Sequence, residues 1–579
     1  MLPINVVADQ LGIPENARLP YGKDILKIDP TITMADQPHK SAEKAAKLIV
    51  VTAVNPTPAG EGKTTVSIGL ADAINQEFAT EFGNHSSQDN LPDKSALTPK
   101  VCALALREPS LGPVFGLKGS AIGGGASQVY PSDKISLHFT GDIHAITAAQ
   151  NLLCALVDNH IFQKSEPVFS QVLIKRCLDV NDRALRNIQT GKPTNAALVN
   201  STTGFEITAA SEMMSIVTLA SSLDDLKNRV GRIVVGIDTN GNKVTADELG
   251  FTGAVTSLLV DAIQPNLIQT IKGTPTFIHC GPFANVGPGV SSVLATKLAM
   301  EYADVVVTEG GFGADLGLEK FLNIKCRQAG LAPSLVVLVA TIRALKHHGT
   351  NEATDVPDKL TNGLKNVLHH AKSVTEHFQL PVTIAVNRFP DDTPAELQYV
   401  VDQLHDQGVK AVVCDPFQAQ RADGQHYDCQ ELAQVALKTL AQQSSNSPTY
   451  NPSYELTDDL STRISKVVHN VYGGAGIAYT AEAQQKLSEL KQYDLPICVA
   501  KSPISLSGRD LWRANKDGSP PPSDDGRWYL PVTDLELCAG AGFIRVYTGT
   551  VLTMPGLGKV PGALGIDVNP ETAEITGIS

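Results

Sequence analysis

No two of the nine cysteines, at 102, 154, 177, 280, 326, 414, 429, 498 and 538, stand three apart, so the chain has no CxxC pair for a zinc or a redox site. An odd, scattered set reads as reduced thiols and predicts a cytoplasmic protein. Positive charge is also short. Lys and Arg number 47 against 60 Asp and Glu, a formal net charge of −13, which argues against a basic surface tracking nucleic acid and favours an acidic enzyme with a local cationic pocket at most. Long apolar runs are missing too: LAPSLVVLVATI (331–342), the most apolar stretch, is too short to span a bilayer. MLPINVVADQLG has no basic segment followed by an apolar one, so no membrane partner or secretory leader is expected. Internal repeats and low-complexity tracts are absent as well.

What the chain does have is a series of short β-branched runs that end abruptly in polar or glycine-rich segments. They are KLIVVTAV (47–54), KVCALAL (100–106), TPTFIHC (274–280), ADVVVTE (303–309), SLVVLVAT (334–341), PVTIAVN (381–387) and KAVVC (410–414). Such runs read as strands buried on both faces of a parallel sheet. Helical patterns lie between them, including TTVSIGLADAINQEF (64–78), with Val66, Leu70, Ala73 and Ile74 on one face, and HAITAAQNLLCALVDNHI (144–161). Alternation of the two predicts an α/β fold with a mostly parallel, P-loop NTPase-like sheet and smaller additional α/β domains. At 579 residues several domains are expected: a nucleotide-binding domain over 1–360, a second α/β domain over 361–450 and a C-terminal domain over 451–579. The polar break at 442–455 serves as linker, and the polar stretches 81–99 and 508–528 read as inserted surface loops.

In a parallel sheet ligands sit beyond the carboxyl ends of the strands, so the residues just after each strand matter most. NPTPAGEGKTT (55–65) lies between the first of these strands and the first of these helices. It has the form of a phosphate loop, Gly, four residues, Gly-Lys-Ser/Thr, with Thr57 in place of the first glycine. Backbone amides turned inward cradle phosphate oxygens, and the helix N-terminus adds its positive end. Thr57, Pro58, Ala59, Gly60, Glu61, Gly62, Lys63, Thr64 and Thr65 are therefore candidate ATP ligands, with Lys63 on the β and γ oxygens and the Thr64 hydroxyl on Mg2+. The bland alternative is a turn with a surface lysine.

LREPSLGPVFG (106–116) places Arg107 at the next strand end. Its planar fork suits a carboxylate or phosphate, and a salt bridge to Glu108 or another carboxylate is the competing reading. GGG (123–125) either cradles an anion or permits a tight turn, the turn being simpler. Asp142, in HFTGDIH (138–144), is either a helix N-cap, the simpler reading, or a ligand to Mg2+-bound water. TEGGFGADLGLEKF (308–321) and NRFPDDT (387–393) bring Glu309 and Phe389 to two further strand ends, where Phe389 can stack on a flat heterocycle or fill the core. Lys63, Arg107, Glu309 and Phe389 would meet in one crevice.

The order and extent of PTPAGEGKTT, REPSLGPVFG, LHFTGDIHAIT, NDRALR, PNLIQT, GTPTFIH, GFGADLGLEKF, VATIRALK, AVNRFP and TGTVLTMPGLGKVP resemble formate–tetrahydrofolate ligase over nearly the whole chain. The resemblance implies that formate is activated by MgATP to formyl phosphate, which N10 of tetrahydrofolate attacks to give 10-formyltetrahydrofolate, ADP and phosphate. It further implies a homotetramer stimulated by a monovalent cation, K+ or NH4+. Lys63 and Arg107 take the catalytic positions, Glu108 and Glu309 join the binding set, and Phe389 matches the aromatic that stacks on a planar ring. The chain departs from the family in four places. DPFQAQRADG (415–424) replaces a Trp-Ala-Lys-Gly-Gly loop, leaving Phe417 as the nearest aromatic. Pro288 in NVGPG (285–289) stands where the family has histidine, Ala126 replaces an aromatic, and SDK (132–134) replaces acidic positions. These departures leave open a divergent synthetase-like protein that binds nucleotide or folate with weak or altered ligase activity. A partitioning-type P-loop regulator is a further alternative, but REPSLGP has no place in one.

Overall fold

The computed structural model describes residues 1–35, 45–86, 100–116, 122–190, 201–349, 356–418, 428–443, 450–507, 528–549 and 551–578. Twelve strands build its main sheet: β1 (Arg18–Pro20), β2 (Leu26–Ile28), β3 (Lys47–Ala53), β4 (Cys102–Leu106), β5 (Gly123–Gly124), β6 (Ser127–Tyr130), β7 (Asn266–Thr270), β8 (Pro275–Ile278), β9 (Val305–Glu309), β10 (Leu335–Ala340), β11 (Val382–Asn387) and β12 (Ala411–Cys414). The order is β1-β2-β7-β8-β4-β9-β3-β10-β11-β12, with β6 joining β7 and β5 joining β6. From β8 to β12 every pairing is parallel. Those strands are the seven apolar runs expected from the sequence. The antiparallel strands were not expected, and β7 shows why: Asn266, Gln269 and Thr270 are buried polar residues that interrupt the apolar run.

Side chains of β3 alternate between two cores, as the period of a strand requires. Leu48 and Val50 face a cluster that includes Leu345 of α3 (Ile342–Gly349), Leu364 of α4 (Val356–Lys372) and Leu404 of α5 (Pro394–Asp406). Ile49, Val51 and Ala53 face Leu70 and Ile74 of α1 (Lys63–Ser86) and Leu432 of α6 (Gln430–Ala441). Each fully buried Val or Leu stabilises the fold by roughly 1.5–3 kcal/mol. The expected face of α1 is buried, and so are Ile68 and Ala71, because the helix is covered by α6 as well as by the sheet. The same helix continues through Ser86, so the loop expected over 81–99 begins later than the sequence suggests. Residues 87–99 and 508–527 of the two expected insertions lie outside the described residues.

The sheet continues across residue 360, since β10 pairs directly with β11. A three-stranded sheet near the C-terminus orders Ile497–Ala500, Phe543–Tyr547 and Asp534–Cys538, and its Val499, Ile544 and Val546 join the core under α3 and α4. Among the described residues no helix is long and apolar enough to cross a membrane.

Candidate active site

The carboxyl ends of β4, β9, β3, β10, β11 and β12 lie in that order along one edge of the sheet. Arg107, Glu309, the loop 55–65, Thr341 and Arg343, Asn387 and Phe389, and Phe417 follow them in the same order. With neighbouring strands about 4.8 Å apart, Arg107 and Phe389 leave the sheet about 19 Å from one another.

Gly60 and Gly62 take left-handed backbone, at φ +77° and +74°. Thr57 does not, so a threonine fits at the position where the motif usually has glycine. A side chain at Gly62 would be strained by the left-handed backbone and would displace Asn387, whose Nδ2 lies 2.5 Å from the place a Cβ would occupy. The loop is braced from β10 and β11. Glu61, 1% exposed, accepts the Thr57 amide at 2.7 Å and the Thr341 hydroxyl on its other carboxylate oxygen. Asn387 Nδ2 donates to the Glu61 carbonyl at 3.0 Å, and Arg343 Nη2 to the Gly60 carbonyl at 2.6 Å. At the root, Asn55 accepts from His348 on its backbone carbonyl at 2.7 Å and donates to Asp315 at 3.2 Å. Asp315 is itself paired with Lys501 at 2.6 Å, both fully buried. Burial alone would raise the Asp315 carboxyl, but Lys501 and His370 hold it below its ordinary value.

None of Asn55, Thr341, Arg343, Asn387 and His348 was singled out from the sequence. Four of them, Asn55, Thr341, Arg343 and Asn387, stand at carboxyl strand ends, and that placement was the available signal. Glu61→Ala is expected to leave the Thr57 amide and the Thr341 hydroxyl unpaired in the interior. The loss is about 1–3 kcal/mol, read as a lowered melting temperature together with weaker nucleotide binding. Unchanged melting and binding would show that the brace has no influence.

Beyond the loop, Lys63 and Thr64 open α1. Thr64 Oγ1 donates to Glu309 Oε2 at 2.8 Å, and Arg107 donates through Nε and Nη2 to Glu309 Oε1 at 3.2 and 3.1 Å. Glu309, 1% exposed, thus joins two of the expected site residues. The Lys63 ammonium has no hydrogen-bond or ion-pair partner among the described residues. Burial makes it a weaker base than an ordinary lysine; Glu309 and Glu61 oppose that shift and Arg107 adds to it. Arg107 pairs with Glu309 rather than with Glu108. The Glu108 carboxyl is buried with Oε2 unpartnered, and burial followed by the nearby Asp142 pushes it well above the carboxylate range.

Asp142 is the first residue of α2 (Asp142–Phe162), and Gly141 is the N-cap, without a side-chain cap. The Asp142 carboxylate instead accepts from Lys27 Nζ at 2.6 Å, Asn266 at 2.8 Å and Thr140 at 3.2 Å. The capping reading of Asp142 is therefore corrected. A role toward metal would require Lys27 to give way.

At the other end of the row, Phe389 is half-buried and carries the Arg343 guanidinium on its ring, 4.4 Å from the centroid. Phe417 is 60% exposed. The segment before it rests on the hairpin of β5 and β6, where Ala126 donates to the Phe417 carbonyl at 2.9 Å and Ser127 to the Pro416 carbonyl at 2.8 Å. Gly125, at φ +58°, makes this approach possible, since a Cβ there would lie 2.1 Å from that carbonyl oxygen. The glycine run thus forms a tight turn, the simpler of the two readings. No ring contact joins Phe389 and Phe417 among the described residues, and 419–424 of the altered segment lie outside them.

Fold and site together define an α/β protein whose candidate site residues line the carboxyl ends of a parallel sheet, with the lysine-bearing glycine loop inside the row, Arg107 at one end and Phe389 and Phe417 toward the other. A family model described as formate–tetrahydrofolate ligase matches residues 1–579, the whole chain. The chain belongs to that family, the ligases of one-carbon metabolism that join formate to tetrahydrofolate with ATP as a further substrate.

Proposed function

We propose that the chain ligates formate to tetrahydrofolate through formyl phosphate, giving 10-formyltetrahydrofolate, ADP and phosphate. The observation that carries this reading is the Lys63 ammonium, without a partner among the described residues, at the mouth of a braced glycine loop next to the Arg107–Glu309 pair. Formate is a poor acyl donor until its oxygen is phosphorylated, and that transfer needs a clamp on the moving group rather than a protein nucleophile. A formate oxygen forms a bond to the γ phosphorus as the bond to ADP breaks. N10 of tetrahydrofolate then attacks the formyl carbon, phosphate leaves and N10 loses its proton. Lys63 holds the transferring phosphoryl group, Arg107 the formyl phosphate, and residues 57–65 with Glu108 and Glu309 line the pocket.

Thr64 Oγ1 and the Glu309 carboxylate are hard oxygen donors in contact with each other, which suits Mg2+ bound by one or two protein oxygens plus phosphates. When bound, the ion neutralises charge on the phosphates. The reading extends to a P-loop NTPase-like nucleotide domain whose sheet runs on into 361–450 through β11 and β12, with a further unit over 451–579. It also extends to a cytoplasmic homotetramer stimulated by K+ or NH4+, with no nucleic-acid or membrane partner. ADP release should require formate, ATP and tetrahydrofolate together for full turnover, with formylated folate as product. A protein that binds ATP yet never formylates folate belongs to the divergent, weakly active alternative.

Phe389 supplies a stacking shelf for the flat heterocycle, with Phe417 following the adjacent strand. A stacked aromatic is worth roughly 1–3 kcal/mol by analogy with bases, so Phe389→Ala should weaken binding about 5- to 150-fold. Phe417→Ala should cost less, because its ring is 60% exposed and rests on the Gly124–Gly125 turn rather than in a pocket. Titration of both variants with ATP and with tetrahydrofolate checks this; unchanged binding in both would remove the aromatic shelf.

A further inference from the structure

One face of the half-buried Phe389 ring carries the Arg343 guanidinium, 4.4 Å from the ring centroid, and Nη2 of the same group donates to the Gly60 carbonyl at 2.6 Å. Arg343 therefore touches both the shelf and the phosphate loop, which leave the sheet two strands apart, about 10 Å. Among the described residues this arginine makes no ion pair, the Asp392 carboxylate acting on it only through its charge, and its Nε is buried without a hydrogen bond. The carbonyl it holds belongs to a residue in left-handed backbone, where no atom lies within 4 Å of the place a Cβ would occupy. The loop is open on that side, and Arg343 is the side chain that reaches it. Its own backbone is fixed in the first turn of α3, next to Thr341, which holds Glu61 of the same loop.

We propose that Arg343 is a positioning residue that couples ring stacking on Phe389 to phosphate binding on residues 57–64. The inference rests on the reading of Phe389 as the shelf and of the loop as the nucleotide site. A ring stacked on the face away from Arg343 restricts Phe389, Phe389 restricts the guanidinium plane, and Nη2 then fixes the Gly60 carbonyl. The second ligand meets a loop whose ordering cost has already been met, and by linkage the effect runs equally in both directions.

The test uses ADP with Mg2+ and tetrahydrofolate, a pair that cannot turn over without formyl phosphate. In the wild-type protein, saturating tetrahydrofolate should tighten ADP on the order of 10-fold, and ADP should tighten tetrahydrofolate by the same factor. Arg343→Ala should bring the ratio to within about twofold while each ligand still binds alone. Arg343→Lys keeps the charge but not the planar stack, so it too should lose most of the coupling, and it covers the case in which the alanine variant folds poorly. A merely structural arginine would shift melting temperature or both affinities and leave the ratio alone. Coupling of wild-type strength in both variants overturns the proposal, as does wild-type protein that binds both ligands with no mutual effect. Wild-type protein that binds no ADP at all overturns the nucleotide reading itself.

Discussion

Lys63→Ala should lower turnover by at least about 10³-fold while the protein stays folded. The magnitude is that of removing a preorganised charge from the place where transition-state charge develops. The fold should survive because the ammonium holds nothing in place: its stem stands at the start of α1, and its head has no protein partner among the described residues. Glu309, which would lose a neighbouring positive charge, keeps both contacts from Arg107 and the Thr64 hydroxyl. Among the described residues no other lysine follows a strand on this edge between β4 and β12 closely enough to take over. Burial weakens Lys63 as a base and the neighbouring carboxylates strengthen it, and a bound triphosphate adds further negative charge that favours the ammonium. The check is single-turnover ADP formation with formate present, beside a melting curve. A folded variant with near wild-type turnover would take the loop out of the mechanism.

How much of this was legible in the sequence depended on how far apart the partners lie along the chain. The strands from β8 to β12 were visible because each is covered on both faces and so must be apolar throughout. The loop was visible despite Thr57, and the backbone explains why that departure is harmless: left-handed geometry falls at Gly60 and Gly62. Its supports were not visible. Thr341 reaches Glu61 from 280 residues away, and no local pattern marks a threonine after a strand as a brace. Asp142 failed as an N-cap for the same reason, since Lys27 arrives from 115 residues upstream and takes its carboxylate. For Arg107 the alternative of an ion pair was correct in kind, but the partner is the acid at the end of the adjacent strand, which only the strand order reveals.

That ion pair shapes the expectation for Arg107→Lys, a substitution that keeps charge and removes the fork. Arg107 brings Nε and Nη2 to one oxygen of Glu309 while Thr64 holds the other. Nη1 remains, and it lies where only a glycine can stand beside it, since a Cβ at Gly311 would come within 2.8 Å. A guanidinium can therefore stay on Glu309 and still offer a nitrogen to a phosphoryl or formyl phosphate oxygen. A lysine ammonium at that position has to choose, because its donors radiate from one atom. Turnover should fall on the order of 10² or more, as for other clamps on transferring phosphoryl groups. ATP affinity should change little, because Lys63 and the loop amides carry the nucleotide. Folding should also change little, because the lysine still pairs with Glu309. The measurement is the pairing of ATP dissociation constant with single-turnover rate in the same preparation. A rate loss with affinity preserved places Arg107 on the transferring group, whereas equal losses in both would make it an ordinary nucleotide ligand and leave the formyl phosphate without its clamp.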